Sequence, residues 1–233
     1  QETKVDDPLF PSEAFEAKGW RVNFHGQKSY NGVALVSRAP LDDVRCGFVG
    51  ELEKDQEARD LGEQKRVISA LIDGVRVVNL YVPNGSSLTS DKYPYKLKWL
   101  TCLKRYLEQP LQRGEPLCIV GDFNIALEAR DMHAPDRLSG GIMASDAERQ
   151  ALQMALANGL QDVFRVFEPD AGHWSWWDYR SGAWDRDRGW RIDHIYLCDE
   201  LLGLARSCVI RKSVRGNDKP SDHAPVSVDL DWP

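Results

Sequence analysis

Residues 65–85 read KRVISALIDGVRVVNLYVPNG. Two apolar runs, Lys65 to Ile72 and Val75 to Val82, flank Asp73-Gly74, the strongest short signal for a β-hairpin, because the tight antiparallel turn needs positive φ at both central residues. An antiparallel pair of strands is expected. Within the second run Asn79 and Tyr81 lie two residues apart and so share one face of the strand, just before Pro83-Asn84-Gly85 turns the chain.

The pattern extends in both directions from this hairpin. Pro11 to Lys18 reads as a short helix stopped by Gly19, and Gly32 to Arg38 (GVALVSR) as a buried strand. Tyr95 to Leu111 carries Leu97, Leu100, Leu103 and Leu107 at helical spacing; Gly114 ends it, and the apolar run Leu117 to Val120 follows as a strand. Ser145 with Glu148 three residues on is a capping-box signature for a helix closing at Asn158-Gly159. Further strands are expected at Trp190 to Leu197, Cys208 to Val214 and Ala224 to Leu230. Helices and strands mix without a strict βαβα rhythm, which predicts an α+β fold with largely antiparallel sheets. No repeat or long linker divides the chain, so residues 1–233 are expected to form a single domain, with Ala129 to Ala144 a surface loop.

Composition narrows the classes. No run of about 18 apolar residues exists to span a bilayer, and five scattered cysteines include no CxxC pair. A soluble, monomeric, cytoplasmic protein is expected, with neither a zinc knuckle nor a disulfide framework. The net charge of −6 and pI near 5.4 argue against blanket neutralisation of nucleic-acid phosphates. Acids clustered around a divalent cation would reverse the local field where a phosphate sits.

Four groups of residues carry chemistry. Asp122 and Asn124 sit in GDFN directly after the strand CIV. Their hard oxygens suit Mg²⁺ or Mn²⁺ and can also hold a phosphate oxygen; a Gly-Asp turn closed by an Asx bond is the alternative. Asp222-His223 in PSDHAPV pairs a cation-holding carboxylate with an imidazole able to take a proton from water, unless the two simply form a polar turn. Asp193, flanked by apolar residues in WRIDHIYL, needs a partner. That partner is a histidine such as His223, which the carboxylate would orient, or a neighbouring arginine, Arg191 or Arg188. His194 points to the opposite face and reads as structural. Tyr81 can donate to a phosphate oxygen or a leaving oxyanion, or serve as an ordinary aromatic of a sheet.

A fifth feature is compositional. Trp174, Trp176, Trp177, Trp184 and Trp190 place five of eight tryptophans within seventeen residues. Interleaved with Arg180, Arg186, Arg188 and Arg191, they could stack on bases while guanidiniums meet phosphates, or form a core patch under a charged loop.

Seven motifs occur in one order: QETK, HGQKSYNGVAL, NLYVPNG, GDFN, SWWDYR, RGWRIDHI and PSDHAPV. The chain resembles, from Gln1 to Val226, the exonuclease III class of the exonuclease/endonuclease/phosphatase family. The resemblance implies a four-layer α/β/β/α sandwich of the DNase I-like kind. It implies a Mg²⁺- or Mn²⁺-dependent DNA repair nuclease with 3′-to-5′ exonuclease activity and cleavage 5′ to abasic sites in duplex DNA. Residue by residue, it implies Glu2, Asp122, Asn124 and Asp222 as metal-site residues, and Tyr81, Asp122, Asn124, Asp193 and His223 as catalytic ones. Asn84, Trp176, Trp190 and Ile192 become substrate-binding, with Trp176, Trp190 and Ile192 building the pocket for a flipped-out abasic sugar.

The family's pattern begins with a strand-helix-strand unit of roughly thirty residues ahead of the QET segment. Since this chain starts at Gln1, the natural protein is expected to be longer. Within the same fold, a phosphodiesterase acting on a small or lipid phosphate ester would use the same acids and histidine. A binding module without activity is the alternative from another class.

Overall fold

The computed structural model describes residues 1–232, which fall into two compact units: Gln1–Val82 with Lys98–Asp122, and Pro83–Leu97 with Phe123 onward.

In the first unit β1 (Arg21–His25) pairs antiparallel with β2 (Val33–Ser37). A second sheet runs β3 (Asp42–Cys46), β4 (Val67–Ile72), β5 (Val75–Tyr81), β6 (Leu117–Asp122) in that spatial order. β4 and β5 form the expected hairpin, with Ile72 opposite Val75. Asp73 at φ 48° and Gly74 at φ 84° adopt the left-handed conformations its two-residue turn requires. β5 and β6 pair in parallel. A parallel pair needs a crossover of a dozen or more residues, and α3 supplies it after the short helices α1 (Ser12–Glu16) and α2 (Gln56–Gly62). α3 spans Lys92–Gln112, three residues earlier than its leucine spacing predicts. Its residues Trp99 and Tyr106 pack on Phe48, at ring centroid distances of 4.9 and 5.7 Å from it. Full burial of aromatics of this size contributes about 1.5–3 kcal/mol apiece.

The second unit holds α4 (Pro135–Leu138), α5 (Asp146–Leu156), α6 (Val163–Phe167), α7 (Asp199–Gly203) and α8 (Lys212–Arg215). Its strands are β7 (Leu160–Asp162), β8 (Asp193–Cys198), β9 (Ala205–Ile210) and β10 (Val226–Leu230), paired antiparallel as β7 with β8 and β9 with β10. The capping box that opens α5 is complete: Ser145 accepts from the Glu148 amide, and the Glu148 carboxylate accepts from the Ser145 amide.

The fold class is mixed α and β, as expected, with antiparallel pairings in the majority. Three local expectations need correction. The run Cys208 to Val214 is not one strand: β9 ends at Ile210, and α8 follows because Lys212 lies over the rings of Trp177 and Trp184, and Arg215 over those of Tyr179 and Trp184. Those cation–π contacts outweigh β-propensity. The stretch Ala129 to Ala144 is no mere surface loop, since Asp131, Met132, Met143 and Ala144 are buried and α4 lies within it. Asp131 anchors it through ion pairs to Arg165 and Arg191. Finally, the strand expected from Trp190 starts at Asp193, because the Arg191 side chain is drawn into its pairs with Asp131 and Asp162.

Candidate active site

In the first unit the N-terminal segment is laid against the Asn31-Gly32 turn by backbone hydrogen bonds from Thr3 to Gly32 and from Lys4 to Asn31. Gly32 is required there, for a Cβ would lie 1.9 Å from Oγ1 of Thr3. This placement brings Glu2 to Tyr81, whose phenol donates to Oε1 of Glu2. The other carboxylate oxygen of Glu2 holds the Lys4 ammonium at 2.8 Å. Gln1 donates to Asn79 at 2.6 Å, and Asn79 donates to the Ala34 carbonyl at 2.9 Å. The Arg66 guanidinium covers the Tyr81 ring at 4.7 Å. Burial, then the hydrogen bond to Glu2 and the charges of Glu2 and Asp122, push the Tyr81 pKa far above its ordinary value. Tyr81 is therefore a proton-bearing donor. Asp122 ends β6 opposite Tyr81 in the parallel register and is buried. Gly121 before it has no substitute, since a Cβ would meet the Leu80 carbonyl oxygen at 2.0 Å.

In the second unit Asp193 finds the histidine rather than an arginine. Nδ1 of His223 lies 3.0 and 2.9 Å from the two carboxylate oxygens. A carboxylate only accepts, so Nδ1 donates and the tautomer and orientation of the ring are set by Asp193. The buried hydroxyl of Ser175 donates to Oδ2 of Asp193 at 2.6 Å and accepts the amides of Ile192 and Asp193, each at 3.0 Å. The start of β8 thus fixes the acid, and the acid fixes the imidazole. His194, on the other face, is buried between the Ile125 carbonyl and the Tyr196 hydroxyl, each at 3.0 Å, as a structural residue.

Asp222 accepts a hydrogen bond from the Trp176 indole at 2.9 Å, while the Trp176 backbone bridges to both Trp190 and His223. Trp176 and Trp190 line a cavity of about 500 Å³ together with His133, Met143, Arg180 and Arg188. Ile192 is outside that lining; it is buried in the apolar cluster that contains Trp190, Met132 and Met143. The other tryptophans divide differently. Trp174 and Trp177 belong to a core cluster, and Trp177 meets Trp184 edge to face at 4.9 Å. Asn84 donates to Oδ1 of Asn124 at 2.9 Å, which leaves Nδ2 as the donor end of the Asn124 amide. Asn124 itself is held at φ 49°, in the left-handed region that asparagine tolerates.

Sequence reasoning missed Ser175, Lys96 and the cavity residue His133 as parts of the site, and singled out Arg180 and Arg188 as guanidiniums that could meet phosphates rather than as cavity residues. Glu148 was legible only as a helix cap. The hydroxyl in HWSWWDYR was the one available signal for Ser175.

Among the described residues no three histidine, cysteine or carboxylate side chains form a ready metal cage. Zinc would need such a cage. Magnesium does not, being held by one or two carboxylates together with water and substrate phosphates. Glu2, already salt-bridged to an ammonium, and Asp222, beside His223, are oxygen donors of that kind.

The protonated phenol and buried acid of the first unit, and the acid-oriented imidazole and amide donors of the second, are each groups of the kind a hydrolase of phosphate esters uses. The chain belongs to the Endonuclease/Exonuclease/phosphatase family, whose model matches residues 1–223. It is 36% identical over 238 residues to exodeoxyribonuclease III of Haemophilus influenzae, covering 97% of this chain and 86% of that one. Its fold matches a 3′ phosphatase from Neisseria, solved bound to a product DNA hairpin, with a TM-score of 0.92, 37% identity, and coverage of 99% of this chain and 87% of the other. An AP endonuclease from Archaeoglobus fulgidus is matched at a TM-score of 0.91 and 35% identity, with the same coverage.

Proposed function

We propose that this protein is a DNA repair nuclease of the exonuclease III class that hydrolyses phosphodiesters in duplex DNA, removing nucleotides from 3′ ends and cutting 5′ to abasic sites with Mg²⁺ or Mn²⁺. The observation that carries this reading is the position of Trp176. One side chain walls a cavity of about 500 Å³, large enough for a sugar turned out of the helix, and also donates to Asp222 beside His223. Recognition of a missing base is thereby tied to a catalytic dyad.

His223, oriented by Asp193, donates to a phosphate oxygen or takes a proton from the attacking water through Nε2. Asp122 serves as an acceptor for the water's proton. Asn124 presents Nδ2 to the phosphate, and Tyr81 donates its phenolic proton to developing negative charge. Asn84 contributes by holding the Asn124 amide. By the family resemblance, Glu2, Asp122, Asn124 and Asp222 are the oxygen donors that would hold a divalent cation, which when bound would offset charge on the phosphate. Hydrolysis leaves a 3′-hydroxyl and a 5′-phosphate.

The test is an end-labelled duplex with one stable abasic-site analogue, incubated in Mg²⁺ or with chelator. Chelator-sensitive incision immediately 5′ to the analogue, abolished in His223→Ala, is expected. No incision of DNA, with turnover of a small or lipid phosphodiester instead, would overturn the reading.

A further inference from the structure

The side chains of Lys96 and Glu148 are both wholly buried and form an ion pair at 2.6 Å. A buried pair is a poor source of stability, because desolvation of two charges offsets most of their attraction, and apolar replacements of similar size often cost nothing. Its hydrogen bonds show what else it does. The Lys96 ammonium also donates to the backbone carbonyls of Asn124 at 2.8 Å and Asn84 at 3.2 Å. The Glu148 carboxylate accepts the Met143 amide at 3.1 Å and the Ser145 amide and hydroxyl at 3.0 and 2.6 Å. Three separate segments therefore converge on one pair of charges.

Two of those segments hold a residue in the left-handed region, Asn124 at φ 49° and Met143 at φ 64°. For a non-glycine residue that backbone persists only where surrounding contacts over-determine it. The same segments are joined by Asn84, which donates to Oδ1 of Asn124 at 2.9 Å and contacts Sδ of Met143 at 3.3 Å. We infer that Lys96 and Glu148 are positioning residues: their buried ion pair clamps the Asn84, Asn124 and Met143 segments so that the Nδ2 donor of Asn124 is held in its working orientation. Neither side chain touches substrate. The catalytic consequence rests on the nuclease reading above, whereas the clamp itself is a statement about hydrogen bonds.

Lys96→Met/Glu148→Gln removes both charges while keeping approximate volume. The folded variant is expected to lose about 10- to 100-fold in kcat on the abasic-site duplex, with KM changed by less than about 3-fold, because orientation of a donor is lost and DNA contact is not. In an Asn124→Ala background the same pair of substitutions should cost less than about 3-fold more, as residues acting through one donor are not additive. A folded variant with kcat within about 3-fold of the parent, or a loss that multiplies fully on Asn124→Ala, overturns the inference.

Amide hydrogen exchange on the unmutated protein gives a readout independent of folding of the variant. The Met143 and Ser145 amides should be as protected as that of Leu152 inside α5, and fast exchange there overturns the clamp. If the parent does not cut DNA, the functional reading fails, and the exchange rates alone decide the clamp.

Discussion

The indole nitrogen of Trp176 donates to Oδ2 of Asp222 at 2.9 Å, so that a wall of the cavity and an acid of the Asp222-His223 cluster are one hydrogen-bonded unit. Hydrogen bonds to charged groups contribute about 1.5–3 kcal/mol. Trp176→Phe, which keeps an aromatic wall and removes the N–H, is expected to lower kcat on an abasic-site duplex by about 10- to 100-fold. It should also raise the Mg²⁺ concentration needed for half-maximal rate. Steady-state incision at several Mg²⁺ concentrations measures both, and an unchanged rate and metal requirement would show that the bond has no catalytic part.

Asp193 accepts from Nδ1 of His223 through both oxygens and is itself fixed by the Ser175 hydroxyl. Asp193→Asn leaves a side chain of equal size that no longer enforces the imidazole tautomer. Loss of the corresponding acid in a serine protease costs about 10⁴-fold, and a fall of about 10²- to 10⁴-fold in single-turnover rate is expected here. Ser175→Ala should follow in the same direction with a smaller loss. It should also destabilise by about 1–3 kcal/mol, since two amides lose their acceptor. Equal activity of parent and Asp193→Asn in single-turnover assays would remove the dyad from the mechanism.

Gly121 approaches the Leu80 carbonyl oxygen so closely that a Cβ would sit 2.0 Å from it, at a φ of 149°. Neither strand of the β5–β6 pair can yield without breaking the register that sets Tyr81 opposite Asp122. Gly121→Ala is expected to destabilise by at least about 2–4 kcal/mol. A urea midpoint equal to that of the parent would contradict this.

Stability should fall at alkaline pH. Burial pushes the thiols of Cys102 and Cys208 from 9.0 up to about 11 and about 12, and the phenol of Tyr106 from 10.0 up to about 12. Tyr81 moves in the same direction, through burial and then Glu2. Each group holds its proton more tightly folded than unfolded, so its contribution is complete below about pH 9 and is lost as pH rises through 11 to 12. Denaturation midpoints under reducing conditions should therefore decline steadily from about pH 9 upward. A flat profile to pH 11 would show that these groups are not buried as described.

Features carried by neighbours in the chain were legible beforehand. Asp73-Gly74 announced its hairpin because turn geometry is a property of two residues. Ser145 and Glu148 announced the start of α5 because a capping box closes over three residues. The expected Asp193 partner was narrowed to His223, Arg191 or Arg188 by the cost of burying an acid, and the structure chose His223. Arg191 was unavailable, being committed to Asp131 and Asp162. The tryptophan-rich stretch could be read two ways: Trp174 and Trp177 fill the core, as the second reading has it, while Trp176 and Trp190 line the cavity.

The amino-acid sequence by itself determined the α+β class, most strand and helix positions, and the residue types of the candidate site, because propensity, turn chemistry and motif order act over short spans. Only the tertiary structure decided that α8 interrupts the run after β9, that Ile192 packs in the core and not along the cavity, and that Ser175 anchors Asp193. It alone joined Lys96 to Glu148 across fifty-two positions. Such pairings depend on which side chains meet after folding, where burial makes each unpaired charge or amide costly, and no local pattern in the chain encodes that meeting.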